Sequence, residues 1–267
     1  MKKKIVALAL GGGTARGLAH IGVIKVLVEN RIPIDLISGT SMGAVVGAFY
    51  AKNLNILDVE ELALKNSGWR MINMIDPFFR IGLLRGLKVE KFLKSYLGDS
   101  SISNLKLPFV AVATNLETGE PYYFSKGNLI SAIRASISLP LVFTPAHYNN
   151  MILVDGGLTE PVPVDAALEN GADVVIAVNL DSHKNLKEEL IKPSIRKVAT
   201  RSTKIITYQV SKINVERADV VIAPNIDYFR SGDFFHVKEF ISEGERAAKK
   251  ALPEILDVLK SHKIKLV

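Results

Sequence analysis

The sequence predicts an α/β fold with a mainly parallel sheet that helices cover on both faces. Short apolar runs alternate along the chain with segments of helical period, as in a buried parallel sheet and its crossover helices. Of the 267 residues, 48% are hydrophobic, which is enough for a substantial core. No repeat, low-complexity tract or flexible linker divides the chain. We therefore predict one domain over 1–267, with a motif-bearing core over about 4–180 and a helical part over about 185–267.

The first part of the chain predicts two strand–helix pairs. The first strand, Ile5–Leu10, runs into glycines, and Gly17–Asn30 follows with apolar residues at helical spacing. The second strand, Ile34–Ser38, precedes a predicted helix over Gly43–Lys52. That helix is rich in glycine and alanine, so it can pack closely on a sheet.

The later elements continue the alternation and add a hairpin. Apolar runs on either side of a Glu-Thr-Gly-Glu turn predict this hairpin. Pro193 and Pro253 are expected to start, kink or break the last two helices. The predicted segments are strands over Phe109–Thr114, Pro121–Phe124, Met151–Val154, Asp173–Val178 and Val220–Ala223, and helices over Leu129–Ser136, Val164–Glu169, Lys187–Val210 and Lys238–Lys260.

Composition and charge narrow the class of protein. The chain has no cysteine, which excludes disulfides, thiolate metal sites and cysteine nucleophiles. The apolar run after Lys4 is shorter than a signal-peptide core, and no run has the length of a membrane span. The formal net charge of +7 is spread without a basic arm, which disfavours nucleic acid and suits peripheral contact with an anionic membrane. We expect a cytoplasmic protein, peripheral at the inner membrane face at most, without metal or cofactor.

A Gly-x-Ser-x-Gly turn stands between the second strand and the following helix. Gly39 and Gly43 flank Ser41 at a spacing of two residues. Such a turn presents a serine hydroxyl at the end of a strand and beside the positive end of a helix. The pattern is short, and an ordinary glycine–serine turn is the alternative. The strand–turn–helix context favours Ser41 as the nucleophile of an acyl transfer reaction.

Histidine is the usual base for such a serine. A hydrolase triad runs serine, acid, histidine along the chain. Of the five histidines, His20 lies inside the first helix, His147 precedes the expected acid and His262 lies in the polar tail. His183 and His236 remain as candidates, and neither has a distinctive setting.

Asp155 is the competing base. It ends the apolar strand Met151–Val154 and precedes Gly156 and Gly157, so its carboxylate is expected at the carboxyl end of that strand. A carboxylate takes a serine proton directly if burial raises its pKa. The alternative for Asp155 is a plain Asp-Gly turn.

A glycine-rich loop over Gly11–Gly17 joins the first strand to the first helix. Its glycine spacing fails the dinucleotide pattern, and no Lys-Ser or Lys-Thr pair completes a phosphate loop. Acyl transfer needs backbone N–H groups aimed at a developing oxyanion, and glycines let the backbone approach the substrate. Arg16 is expected to hold the loop or to meet a phosphate headgroup, with a solvated arginine as the alternative.

Together these motifs resemble the patatin-like phospholipase family. The family's Gly-Gly-Gly-x-Arg-Gly aligns with Gly12–Gly17, its Gly-x-Ser-x-Gly with Gly39–Gly43, and its Asp-Gly-Gly with Asp155–Gly157. The stretches 113–119 and 134–140 are also similar to bacterial members, and the similarity fades after about Asn179.

This resemblance implies a fold, a site and an activity. The implied fold is a three-layer α/β/α sandwich, and the implied activity is hydrolysis of lipid acyl esters. The implied site is a Ser41–Asp155 dyad without histidine, with an oxyanion hole from the loop at Gly12 and Gly13. Thr14 departs from the pattern because it stands where the family often has its third glycine.

Several alternatives stay open at this point. Residues 69–85 combine large apolar side chains with three arginines, which suits a lid, a membrane patch or plain core packing. A conventional α/β-hydrolase would use His183 or His236 as its base. A third possibility is a catalytically silent lipid-binding protein on the same fold.

Overall fold

The computed structural model describes residues 3–68, 77–78, 83–181, 193–229 and 232–267. Its helices are α1 (Ala19–Glu29), α2 (Met42–Asn53), α3 (Ile56–Lys65), α4 (Leu87–Leu97), α5 (Leu129–Ser136), α6 (Val164–Glu169), α7 (Ile195–Val215) and α8 (Val237–Ser261). Its strands are β1 (Val6–Leu10), β2 (Leu36–Thr40), β3 (Pro77–Phe78), β4 (Leu83–Leu84), β5 (Phe109–Asn115), β6 (Pro121–Phe124), β7 (Ala146–Tyr148), β8 (Met151–Asp155), β9 (Val174–Val178) and β10 (Val220–Ile222).

The central sheet is mainly parallel, as predicted. Its strand order is β10-β9-β1-β2-β5-β8-β7, and β6 pairs with β5 outside this order. The pairings from β10 through β5 are parallel. The pairings of β5 with β6, β5 with β8 and β8 with β7 are antiparallel.

Strands β2 and β8 meet end to end along one edge of β5. Residues 111–112 of β5 pair with both β2 and β6, and residues 113–114 pair with both β6 and β8. Because a strand has only two edges, β2 and β8 share the edge opposite β6. Thr40 at the end of β2 lies across from residue 112, and Asp155 at the end of β8 lies across from residue 113. The carboxyl ends of two strands of opposite direction therefore meet at the middle of β5.

Helices cover both faces of this sheet, which gives the three-layer α/β/α arrangement. Alternate residues of each strand enter separate hydrophobic clusters, as the two-residue period of a strand requires. Leu8 of β1 belongs to the cluster that contains α1, α2, α3, α4, α5 and α8. Ala7 and Ala9 belong to the opposite cluster, which contains α6 and receives Val215 of α7.

Helix α8 crosses α1 at very short distance. A Cβ atom on Gly22 would collide with the Ile241 carbonyl oxygen, and one on Gly244 would collide with the Ala19 carbonyl oxygen. The helix continues through Pro253, which neither starts nor ends it, whereas Pro193 precedes α7. The C-terminal helix thus shares the cluster of the first strand and helix.

The structure contains elements that the sequence pattern does not predict, namely α3, α4, β3, β4 and β7. A 3-10 turn over Thr14–Leu18 precedes α1, and β2 extends to Thr40. Most of the 69–85 segment and all of 182–192, with His183, lie outside the described residues. The three alternatives for residues 69–85, a lid, a membrane patch or core packing, therefore concern a segment that lies mostly outside the described residues. Within the described part, no helix is both long and apolar enough to cross a bilayer.

Candidate active site

Ser41 lies at the tip of the turn between β2 and α2. Its backbone has φ 53° and ψ −119°, a conformation that strains any residue with a side chain. Its amide donates a hydrogen bond to Ser136 Oγ at 2.8 Å. Helix α2 begins at the next residue, so its positive end lies beside the serine. Ser41 therefore has the geometry of a presented nucleophile.

The glycines on either side of Ser41 are required by close packing. A Cβ atom on Gly39 would lie 2.6 Å from the backbone of Ala44. A Cβ atom on Gly43 would collide with the Leu10 carbonyl oxygen. Glycine is therefore required at Gly39 by the start of α2 and at Gly43 by the end of β1.

Asp155 is held in place at the end of β8 by its backbone and its side chain. Its amide donates to the Ser138 carbonyl at 3.0 Å, and its own carbonyl accepts from Thr114 Oγ1 at 3.0 Å. Its Oδ1 accepts from the Gly157 amide at 2.8 Å. The residue is only 3% exposed. The carboxylate thus has a fixed orientation in a nearly dry site.

The two predicted catalytic residues come together in this structure. The Ser41 side chain hydrogen-bonds with the Asp155 carboxyl group. Burial raises the pKa of Asp155 to about 6, while the bonds from Gly157 and Ser41 act in the opposite direction. A carboxylate with this pKa is ionised at neutral pH and basic enough to accept a proton.

The strand arrangement that places Asp155 beside Ser41 differs from the one that the sequence suggests. It does lie at the carboxyl end of its strand, but β8 runs antiparallel to β5. The end-to-end meeting of β2 and β8 brings the carboxylate to the serine. Gly156 permits this because a Cβ atom there would collide with the Val112 carbonyl oxygen.

The glycine-rich loop is anchored by three hydrogen bonds at its start. The Gly11 amide donates to Val178 O at 3.1 Å, and the Gly12 amide donates to Pro161 O at 2.8 Å. His20 Nε2 donates to the Gly11 carbonyl at 2.7 Å. The peptide that joins Gly11 and Gly12 is therefore held on both sides. The Gly12 amide, one of the two expected oxyanion donors, is already occupied.

The amide that follows Gly12 in the loop is not occupied in the same way. A Cβ atom on Gly12 would touch Ser41 Cβ at 3.5 Å, so the loop lies directly against Ser41. Within the described part of the chain, the Gly13 amide has no hydrogen-bond acceptor. Thr14 has φ 51°, a conformation that glycine adopts without strain. This explains why glycine suits the position that Thr14 fills.

Arg16 and Gly17 support the loop from inside. Arg16 is only 6% exposed, so the solvated alternative is wrong. Burial lowers the pKa of its guanidinium, whereas the nearby carboxylates of Asp181 and Asp227 favour its charged form. A Cβ atom on Gly17 would collide with the Met42 side chain, so Gly17 makes room for the residue after Ser41.

The described histidines occupy other roles. His236 Nδ1 lies 2.9 Å from Asp233 Oδ2, and its ring packs on Phe229. His20 is fully buried, which lowers its pKa to about 4, so it is a neutral donor to the loop. The titratable side chain that contacts Ser41 is Asp155. Among the described residues, no three acidic or histidine side chains are grouped as metal ligands.

Sequence reasoning missed three supporting residues. Ser136 Oγ accepts from the Ser41 amide and the main-chain carbonyl of Ser138 accepts from the Asp155 amide, so the end of α5 and the residues that follow it position both residues of the pair. The hydroxyl of Ser136 at the end of an apolar helix is a signal in the sequence, whereas the contact of Ser138 is made by its backbone and has none. His20 gave no signal beyond its place in an apolar helix.

Comparison with known proteins gives matches over the same region. Residues 8–168 match the family model described as patatin-like phospholipase. An uncharacterized NTE family protein of Mycobacterium bovis is 40% identical over 177 residues, covering 66% of this chain and 49% of that protein. Lysophospholipase nte1 of Aspergillus fumigatus is 36% identical over 185 residues, covering 67% of this chain and 12% of that protein.

A solved structure shares the fold. VipD from Legionella pneumophila aligns with a TM-score of 0.54 and 12% identity, covering 95% of this chain and 67% of VipD. The chain spans about half the length of the mycobacterial relative and a small part of the fungal one. The family match extends from β1 through most of α6 and includes the glycine loop, the Ser41 turn and the Asp-Gly-Gly turn. The chain therefore belongs to the patatin-like phospholipase family.

Proposed function

We propose that this chain is a serine acyl hydrolase that cleaves carboxylic ester bonds of lipids. The contact between the Ser41 side chain and the buried Asp155 carboxylate is the observation that carries the proposal. Membership of a phospholipase family supports a lipid ester as the substrate class. The lysophospholipase name belongs to the Aspergillus relative, and its chemistry suits the same pair of residues.

The reaction proceeds in two acyl-transfer steps. Ser41 Oγ attacks the ester carbonyl carbon while Asp155 accepts the serine proton. Asp155 returns this proton to the oxygen of the leaving alcohol as the carbon–oxygen bond breaks, which leaves an acyl ester on Ser41. Asp155 then takes a proton from water as the water oxygen attacks the acyl carbon, and it gives this proton to Ser41 Oγ as the acyl–serine bond breaks and the fatty acid leaves.

The oxyanion is stabilised by the loop beside Ser41. The Gly12 amide already donates to Pro161, so we assign the main donor to the Gly13 amide, with the Thr14 amide next to it. Removing one such donor by mutation typically costs about 2.7–4 kcal/mol of transition-state stabilisation. The fixed peptide between Gly11 and Gly12 orients the amides that follow it.

Two substitutions test the pair of residues directly. Ser41→Ala and Asp155→Asn should each lower kcat for a short-chain p-nitrophenyl ester by about a thousandfold or more, because the nucleophile or its base is lost. In the wild type, kcat/KM should fall below a pH of about 6 as Asp155 is protonated. Steady-state kinetics across pH measure both effects.

Matched controls separate the competing functions. His236→Ala should retain activity, because its contacts are with Asp233 and Phe229. Near-full activity in Asp155→Asn, with loss in His236→Ala, would establish a histidine base instead. A fluorophosphonate probe that fails to label the wild-type serine would favour a catalytically silent lipid-binding protein.

A further inference from the structure

Helix α7 carries an apolar stripe on its exposed side. At 100° per residue, five β-branched side chains fall within a sector of about 100°. Ser202 and Gln209 are the polar residues in the same sector. The apolar members, with their exposed fractions, are Ile195 (90%), Val198 (46%), Ile205 (43%), Ile206 (54%) and Ile213 (63%). Side chains of this type are normally buried, so a stripe of them indicates a surface with a partner.

The charge of this helix has one sign. Between Ile195 and Val215 the sequence contains five cations and no acidic residue. Arg201 and Lys212 fall along one border of the stripe when the helix is drawn at 100° per residue, and Lys197 lies further round on the same side. A helix with an apolar face beside a cationic border is typical of segments that lie in the interface of an anionic membrane.

The inner side of the same helix supports the candidate active site. Helix α7 packs against the Gly156–Leu158 turn that follows Asp155. The Ser211 hydroxyl, fully buried, donates to the Tyr208 carbonyl at 2.9 Å and lies close enough to Asp181 to favour its ionised form, and Asp181 interacts electrostatically with Arg16 of the glycine loop. The two faces of α7 thus connect the solvent side of the protein to both loops of the site.

We infer that the exposed face of α7, defined by its five Ile and Val residues, docks on an anionic lipid surface. The inference rests on the proposed function, because a lipid hydrolase must meet its substrate at such a surface. An α-helix with its side chains is about 10–12 Å across. Docking through α7 therefore places the glycine loop and the Asp-Gly-Gly turn within about one helix width of the lipid.

The charge pattern favours lipid over a second copy of the chain. Two α7 helices packed through their stripes would bring together two helices that each contain five cations and no acidic residue, which is unfavourable. Anionic headgroups carry the opposite charge, and the isoleucines enter the headgroup and acyl-chain boundary.

Vesicle sedimentation with the full chain tests this docking. Wild-type protein should bind phosphatidylcholine vesicles that contain phosphatidylglycerol, bind pure phosphatidylcholine vesicles much less, and be released by salt. The double variant Ile206→Gln/Ile213→Gln should bind at least about tenfold more weakly, since it removes two apolar anchors. The matched control Leu57→Gln/Leu116→Gln removes two leucines that are 61% and 54% exposed on other surfaces and should bind like the wild type.

The outcomes are distinct from those of the proposed function. Equal vesicle binding by the two double variants, or no preference for anionic vesicles in the wild type, would overturn the docking surface. A wild-type dimer that the α7 variant dissociates, without any vesicle binding, would make the stripe an interface between copies and overturn it as well. Turnover of a soluble short-chain ester is measured in parallel and should be equal in all three proteins. Its loss in every protein with vesicle binding intact would refute the hydrolase and not the docking.

Discussion

His20 shows how a single side chain can set the geometry of the site without touching a substrate. Its Nε2 donates to the Gly11 carbonyl, and its Nδ1 is buried without a partner among the described residues. The peptide that His20 holds also directs the Gly12 amide to Pro161. The orientation of the following Gly13 amide therefore depends on a donor buried in α1.

Replacing His20 should lower turnover more than substrate affinity. His20→Leu leaves the Gly11 carbonyl without its donor, at a cost of about 1–3 kcal/mol. If the loop then loses its orientation, kcat should fall about tenfold to a hundredfold with KM little changed. His20→Gln keeps a donor at a similar reach and should recover most of kcat. Steady-state kinetics on a short-chain ester measure the split.

His147→Leu is the matched control, since His147 is an exposed residue of β7. It should leave kcat and KM unchanged. A purely structural role for His20 would appear as lower thermal stability with unchanged kcat in the folded fraction, and this result would contradict the positioning role.

At this scale the sequence predicted Ser41 and Asp155, which the structure brings together, better than the residues that hold them in place. Ser41 and Asp155 stand in motifs whose glycines are local requirements of tight turns, so they can be recognised from neighbouring residues. The engagement of Gly12 by Pro161 and of Gly11 by Val178 joins positions more than a hundred residues apart. No local pattern encodes such a partner, which is why the oxyanion assignment shifts toward Gly13.

For helices and strands too, the sequence predicted what depends on neighbouring residues and missed what depends on distant ones. Apolar runs predicted β1, β2, β5, β8 and β9, because a buried strand needs apolar side chains on both faces. They did not predict that β8 is antiparallel, since direction depends on the pairing partner. Helices α3 and α4 were missed because their outer faces are polar and each buries only two residues completely.

The crossing of α1 and α8 provides a test at the scale of elements. Gly22→Ala or Gly244→Ala would place a Cβ atom into the backbone of the partner helix. Each should lower the free energy of unfolding by about 1–3 kcal/mol through overpacking. In an exposed helix the same change would stabilise by about 1 kcal/mol, so the sign of the effect is diagnostic. Urea unfolding monitored by circular dichroism measures it.

Gly232→Ala is the control for this pair, because nothing lies within 4 Å of a Cβ atom at that position. Its unfolding free energy should stay close to that of the wild type. A gain of stability in Gly22→Ala and Gly244→Ala would show that the two helices separate easily and that α8 is not packed tightly on α1.

The protein buries several titratable side chains whose charged forms are unfavourable in its interior. Burial raises the pKa of Asp155 and of Asp181 to about 6, and that of Glu160 to about 7. Because the folded state holds these protons more tightly than the unfolded state, each group's contribution to stability is lost as pH rises toward its folded pKa. His20 acts oppositely, since its lowered pKa of about 4 makes folding less favourable as pH falls below about 6.5.

Glu160 has the highest pKa of these acids, so it should dominate the pH dependence near neutrality. Its Oε1 accepts from the Ala166 amide at 2.8 Å, and the Tyr123 side chain also interacts with this carboxyl group. Glu160→Gln keeps the acceptor and removes the charge. Between pH 5 and 8, the wild type should therefore lose about 2–3 kcal/mol of unfolding free energy relative to Glu160→Gln.

Urea unfolding of both proteins at several pH values measures this difference directly, and the contributions of Asp155, Asp181 and His20 cancel because both proteins contain them. Glu120→Gln is the control, since Glu120 is an exposed residue and its substitution should leave the pH dependence of the wild type unchanged. Parallel curves for the wild type and Glu160→Gln would mean that Glu160 ionises as easily in the folded chain as in the unfolded one. In that case water would reach its carboxylate, and the interior beneath the Ser41 turn would be wetter than its burial indicates.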